Sequence, residues 1–143
     1  METTALLFAI ANTAILLAWV PLWVLPKWSV TQQMIAFPYI PFVLSFFYLF
    51  FLMSDKGLVD ADFSSLAGIL ELYRNATPEG AAAGWMHYLA FDYWIGCWIL
   101  RDAQKKAIPH LLIILPLLCT FMLGPVGIML YVIFSQIRFA VKK

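Results

Sequence analysis

Charge is what this 143-residue chain lacks most: 12% of its residues are Asp, Glu, Lys or Arg, and the net charge is +1, against roughly a quarter charged in soluble domains. No basic run is dense enough to follow a phosphate backbone, so nucleic acid is excluded as a partner. Cysteine is almost as scarce. Cys97 and Cys119 each stand alone in an apolar run, a spacing that supports neither a disulfide framework nor a zinc or redox motif. The histidines number two, His87 and His110, which is too few for the clustered imidazoles of a membrane oxygenase, and no metal is expected. A secretory leader is missing as well. The first apolar run begins at Ala5 without a basic region or a small-residue cleavage pattern, and it exceeds a signal-peptide core, so it is expected to stay in the protein.

What remains is hydrophobic: 64% of the chain, with a mean hydropathy of +0.87. Crossing about 30 Å of hydrocarbon takes about 20 apolar residues in a helix, and four runs meet that length, 5–25, 34–53, 82–100 and 110–134. The expected architecture is all-α, a polytopic membrane four-helix bundle in a single domain over 1–143. Between the second and third runs, Phe63, Leu66, Ala67, Ile69, Leu70 and Tyr73 recur at helical spacing, with Asp60 and Asp62 placed to cap the start; this predicts one interfacial amphipathic helix. Pro41 is placed to kink the second run, and Pro116 with Gly124-Pro125-Val126-Gly127 to interrupt the fourth. Four crossings put both termini and 54–81 on one face, with Lys56, Arg74, Arg138, Lys142 and Lys143. Lys27, Arg101, Lys105 and Lys106 fall on the other, a balance that leaves the orientation open.

Inside the third run, His87 and Asp92 interrupt an otherwise apolar and aromatic stretch. An ionisable side chain at bilayer depth costs about 2.5–3.5 kcal/mol on insertion scales, so it persists with a partner, a cavity or a function. Counting about 1.5 Å per residue from the terminal-side face, Asn12, Tyr48, His87, Asp92 and Gly127 share depths of about 7–15 Å. Trp85, Tyr88, Asp92 and Gly96 fall on one helix face, whereas His87 points about 140° from Asp92, so the two are expected to border one cavity from different sides. The plain alternative for Asp92 is a hydrogen bond across helices to Asn12 or Tyr48. Asp102 lies about 22 Å along the helix from His87, and Arg101, Asp102 and His110 are expected to anchor the opposite face.

These residues, Trp85-x-His87-Tyr88-Leu89-x-x-Asp92, then Arg101-Asp102, His110 and Gly124-Pro125-Val126-Gly127, together with Pro38-Tyr39-Ile40, resemble the abscisic-acid-deficient-four-like proteins. The resemblance covers the second to fourth runs. It implies a small four-span membrane protein and, by analogy with plant members, conversion of violaxanthin to neoxanthin, in which an epoxide opens while a neighbouring proton is lost. Such an isomerisation requires an acid and a base and no cofactor. Plant members carry a long leader that this chain lacks, which implies a bacterial plasma membrane and a substrate other than violaxanthin.

The functional expectation is therefore a membrane-embedded isomerase acting by proton transfer on a carotenoid (xanthophyll) or similar lipophilic polyene. Asp92 and His87 are its catalytic pair. Asn12, Tyr48, Tyr88 and Trp85 line the polyene site, and Gly96, Gly124 and Gly127 leave room for it. A carboxyl kept from water can donate a proton near neutral pH, and imidazole suits the base. The alternative is a non-enzymatic carotenoid- or lipid-binding or assembly protein, with no proton transfer. The lipid bilayer is the expected environment, and an oligomer is compatible with either reading.

Overall fold

α1 (Glu2–Val24) and α5 (Pro78–Lys105) form the spine of the computed structural model, which describes residues 2–55 and 62–141. Contacts advance together along the two: Thr4 donates to Glu79 at 2.8 Å, Trp85 Nε1 donates to Asn12 at 2.9 Å, and the Tyr93 hydroxyl donates to the Ala18 carbonyl at 3.3 Å. They therefore run parallel. α1 has 23 residues, about 35 Å at 1.5 Å each, and is the one described helix long and apolar enough to cross a membrane by itself. α5 starts on Thr77, whose hydroxyl accepts the Gly80 N–H, with Pro78 at the first helical position where its missing N–H costs nothing. Against this pair the core closes on Trp19, Leu22, Met86, Tyr93, Ile99 and Leu117, all fully buried. The chain is all-α: seven helices, with no strand among the described residues.

The second apolar run is two helices, α2 (Ser29–Ala36) and α3 (Tyr39–Ser54), meeting at 57°. The break falls at Phe37, not at the expected Pro41. Pro38 drives the residue before it out of the helical region, and Phe37 is extended at φ −133° and ψ 140°. Pro41 sits in the first turn of α3, where its missing N–H donor has no helical partner to lose.

α4 (Leu66–Arg74) is the amphipathic helix, shorter than the period over 63–73 suggests. Its cap is Ser65, which accepts the Gly68 N–H at 3.0 Å. Asp62, expected at the cap, instead accepts from the Ser64 N–H and from the hydroxyls of Ser64 and Ser65, closing the turn ahead of the helix. Asp60 lies outside the described residues, as do Lys56, Lys142 and Lys143.

The fourth run folds back on itself. α6 (Leu111–Leu123) ends at Gly124, whose φ of +45° and ψ of −95° suit only glycine, and α7 (Pro125–Val141) leaves in the opposite direction. A Cβ on Gly127 would touch the Thr120 side chain and the Pro116 carbonyl, atoms that a continuous helix would hold about 10–16 Å away. Farther along, Tyr131 donates to Asp102 and packs edge-on against Trp98 at 5.4 Å. Residues 111–137 thus form a helical hairpin, and α7 returns to the end of the bundle that carries Lys105. The expectation of one interrupted helix over 110–134, with both termini at one end, is corrected by this reversal at Gly124.

Candidate functional site

At the amino-terminal end of the bundle, α4 lies across the last turns of α3 and the first turns of α5 and leaves an open cavity of about 790 Å³. Three pieces of local chemistry hold its frame. Thr77 donates to Asp55 at 2.8 Å, tying the end of α3 to the start of α5. The Asp62 turn fixes the approach to α4, and hydrogen bonds from Ser64 and then Ser65 pull its carboxyl down to about 2. The Thr4 hydroxyl holds Glu79 below the usual carboxylate range and fastens α1 to the same corner.

The walls are aromatic. Tyr48 comes from α3, Tyr73 from α4, and Trp85, His87 and Tyr88 from α5. His87 is exposed to the cavity, with its ring 5.9 Å from Tyr48 and 4.7 Å from Phe91. The acidic lining residues are Asp55, Asp62 and Glu71, with no lysine or arginine among the described lining residues. Such a site suits an uncharged lipophilic ligand with a polar end: rings give apolar contact and polarizable faces, hydroxyls and carboxylates supply hydrogen bonds, and imidazole can take or give a proton. No three His, Cys, Asp or Glu side chains among the described residues converge as a metal ion requires.

Of the residues singled out in the sequence, Tyr48, Trp85, His87 and Tyr88 meet in this cavity. Asn12 stands behind it, accepting from the Trp85 indole and orienting that ring. Asp92 is elsewhere. It is half-buried against the hairpin turn, where a Cβ on Gly124 would come within 2.5 Å of its Oδ1, and among the described residues it forms no hydrogen bond to Asn12 or Tyr48. The three glycines expected to leave room are filled: Gly96 by the Trp19 ring, Gly124 by Asp92, and Gly127 by Thr120.

Arg101, Asp102 and His110 gather at the opposite end as helix ties. Asp102 accepts from Tyr131 and pairs with Lys106 at 2.6 Å, and these partners outweigh its burial to keep the carboxyl below its ordinary range. His110 Nε2 meets the Trp23 carbonyl at 2.8 Å, and Arg101 reaches the Ile35 carbonyl at 3.5 Å.

Sequence reasoning missed Asp55, Glu71, Tyr73 and Gly84 as lining residues. A polar position of the amphipathic helix marks Glu71 and the Gly80-x-x-x-Gly84 spacing at the start of α5 marks Gly84, while Asp55 and Tyr73 carry no such signal. No curated protein and no solved structure matches the chain. A family profile does, over residues 6–131, nearly the whole chain and every described lining residue of the cavity, and the protein belongs to the ABA DEFICIENT 4-like family.

Proposed function

We infer that the protein is a multi-pass membrane isomerase acting by proton transfer on a xanthophyll-like polyene, with the cavity beneath α4 as its site. Membrane residence beyond α1 is supported by apolar side chains that face outward around the bundle. Phe46 on α3 is 60% exposed, Leu111 on α6 79% and Met129 on α7 54%. A soluble monomer rarely shows contiguous apolar surface on this scale, and lipid covers it without penalty.

The observation that carries the functional reading is the meeting of His87 with Tyr48 and Tyr88 in a cavity of about 790 Å³ with no lysine or arginine among its described lining residues, a volume within the usual range for a ligand pocket. Opening an epoxide to an allenic alcohol moves a proton from carbon to oxygen with no net redox change. His87 takes the proton from carbon, and a tyrosine hydroxyl of the same wall donates to the oxygen. Asp92 falls outside this assignment, because it lies against Gly124 at the hairpin turn and is not among the lining residues of the cavity.

The test is pigment analysis in a carotenoid-producing host at matched protein level. His87→Ala is expected to lower turnover by about 10² or more, the scale of one general acid–base group, while Asp92→Asn lowers it far less. Equal losses would return Asp92 to the chemistry. A wild type that binds xanthophylls without converting any points instead to the binding-protein reading, which uses the same cavity.

A further inference from the structure

We propose that Gly84 sets the width of the end group admitted to the cavity, making the protein selective for polyenes that end in a ring over acyclic ones of equal carbon count. The inference rests on the polyene reading of the site and adds the residue that determines its shape.

Glycine inside a helix lowers its stability relative to alanine, so a helical glycine usually has a packing or functional reason. For every described glycine but one the reason is a neighbour. Added Cβ atoms at Gly68, Gly80, Gly96 and Gly127 would run into Asp62, Asp55, Trp19 and Thr120 respectively, and Gly124 needs its positive φ as well as the room that Asp92 occupies. Gly84 differs. It lies six residues inside α5, a Cβ added to it would meet nothing within 4 Å, and the open space beside it is the cavity. Among the described residues, no protein atom accounts for the missing side chain.

The bare backbone at Gly84 forms a shallow slot on α5. Ala81 lies about one turn before it, while His87 and Tyr88 lie about one turn after, on the same face. Leu72 and Tyr73 of α4 also line the space. A methyl-substituted cyclohexene ring, broader in cross-section than a chain, needs that extra depth against the helix, whereas an extended acyclic end does not. A ring seated there lies one turn from the His87 imidazole, so the residue that sets width also sets where the reacting end group stops.

The experiment uses the full-length protein in detergent micelles with two probes, zeaxanthin, which ends in hydroxylated rings, and lycopene, which is acyclic with the same number of skeletal carbons. Binding is read by quenching of tryptophan fluorescence and by copurified pigment, for wild type, Gly84→Ala and Gly84→Leu. Wild type is expected to prefer zeaxanthin. Gly84→Leu should weaken zeaxanthin binding by about tenfold or more, as overpacking of a formed site does, with Gly84→Ala between the two. Lycopene affinity should hold in both variants, and their melting temperatures should stay at or above that of wild type, because the added atoms displace nothing.

Unchanged zeaxanthin affinity in Gly84→Leu overturns the proposal. So does parallel loss of both probes, or a wild type with no preference between them. These results leave the proton-transfer reading standing, since that is judged by the His87→Ala turnover comparison. A wild type that binds neither pigment removes the polyene reading and this proposal together.

Discussion

Replacing Gly124 by alanine should cost the protein about 2–6 kcal/mol, in two parts that can be separated. The first is conformational. At φ +45° and ψ −95° the residue lies where L side chains rarely go, and holding a non-glycine in such a region costs about 1–3 kcal/mol. The second is steric. The new Cβ would lie 2.5 Å from Asp92 Oδ1 and 3.2 Å from its Cγ, so the carboxylate or the whole hairpin must move, which by analogy with overpacked cores adds about 1–3 kcal/mol. Asp92→Ala removes the obstacle without changing the backbone requirement. A double-mutant cycle should therefore show a coupling of about 1–3 kcal/mol, with the remainder persisting in the Gly124→Ala/Asp92→Ala protein. Reversible unfolding of the micelle-solubilised protein by a denaturing detergent, followed by circular dichroism, gives each corner of the cycle. A Gly124→Ala protein within about 0.5 kcal/mol of wild type, the range of an inconsequential substitution, would refute the hairpin turn as described.

The hairpin also makes a topological claim. With single cysteines in a cysteine-free background, Thr77→Cys and Ser54→Cys should react with an impermeant maleimide from one side of the membrane, and Lys105→Cys and Ile137→Cys from the other. If residue 137 labels with residue 54, α6 and α7 form a continuous crossing instead. The approach to α4 should depend on pH through Asp62, whose folded carboxyl is held down at about 2 by Ser64 and Ser65. A depressed carboxylate contributes stability above its unfolded value, near 4 for a free aspartate, and loses it as pH falls through the folded one. Amide exchange at Ser64 and Gly68 should accelerate between about pH 4 and pH 2, and Asp62→Asn should abolish that dependence. A constant exchange ratio across this interval would refute the assignment.

How much of this can be read from residues alone depends on what each residue controls. α1 and α5 are legible because a long run of helix formers has one local solution, and α4 is legible from its period, even though the cap is Ser65 and the acid beside it closes a turn. The break in the second run is misplaced by one proline because proline acts most strongly on the residue before it. Phe37 yields, while Pro41 rests in a first turn. The hairpin is a harder case: Gly124-Pro125 announces an interruption, but a kink and a reversal begin with the same residues. The reversal becomes evident only where Gly127 meets Thr120 and Tyr131 meets Asp102.

The same distinction governs the site. Depth along a helix follows from counting, and of Asn12, Tyr48, His87, Asp92 and Gly127, which it brings to one level, Tyr48 and His87 line the cavity. Azimuth follows only in part, because which face of α5 is wet depends on where α4 and the hairpin come to rest. Asp92 shares the depth of the cavity and faces the hairpin instead. Glycine shows the point most sharply. A missing side chain either admits a neighbour or leaves a void, and the letter is the same in both cases. Gly96, Gly124 and Gly127 look like room for a ligand and are close approaches; Gly84, unremarked in the sequence, faces the open space. The difference is made by Trp19, Asp92 and Thr120. The shape of this site is thus decided as much by the side chains that fill the other glycines as by those that line the cavity.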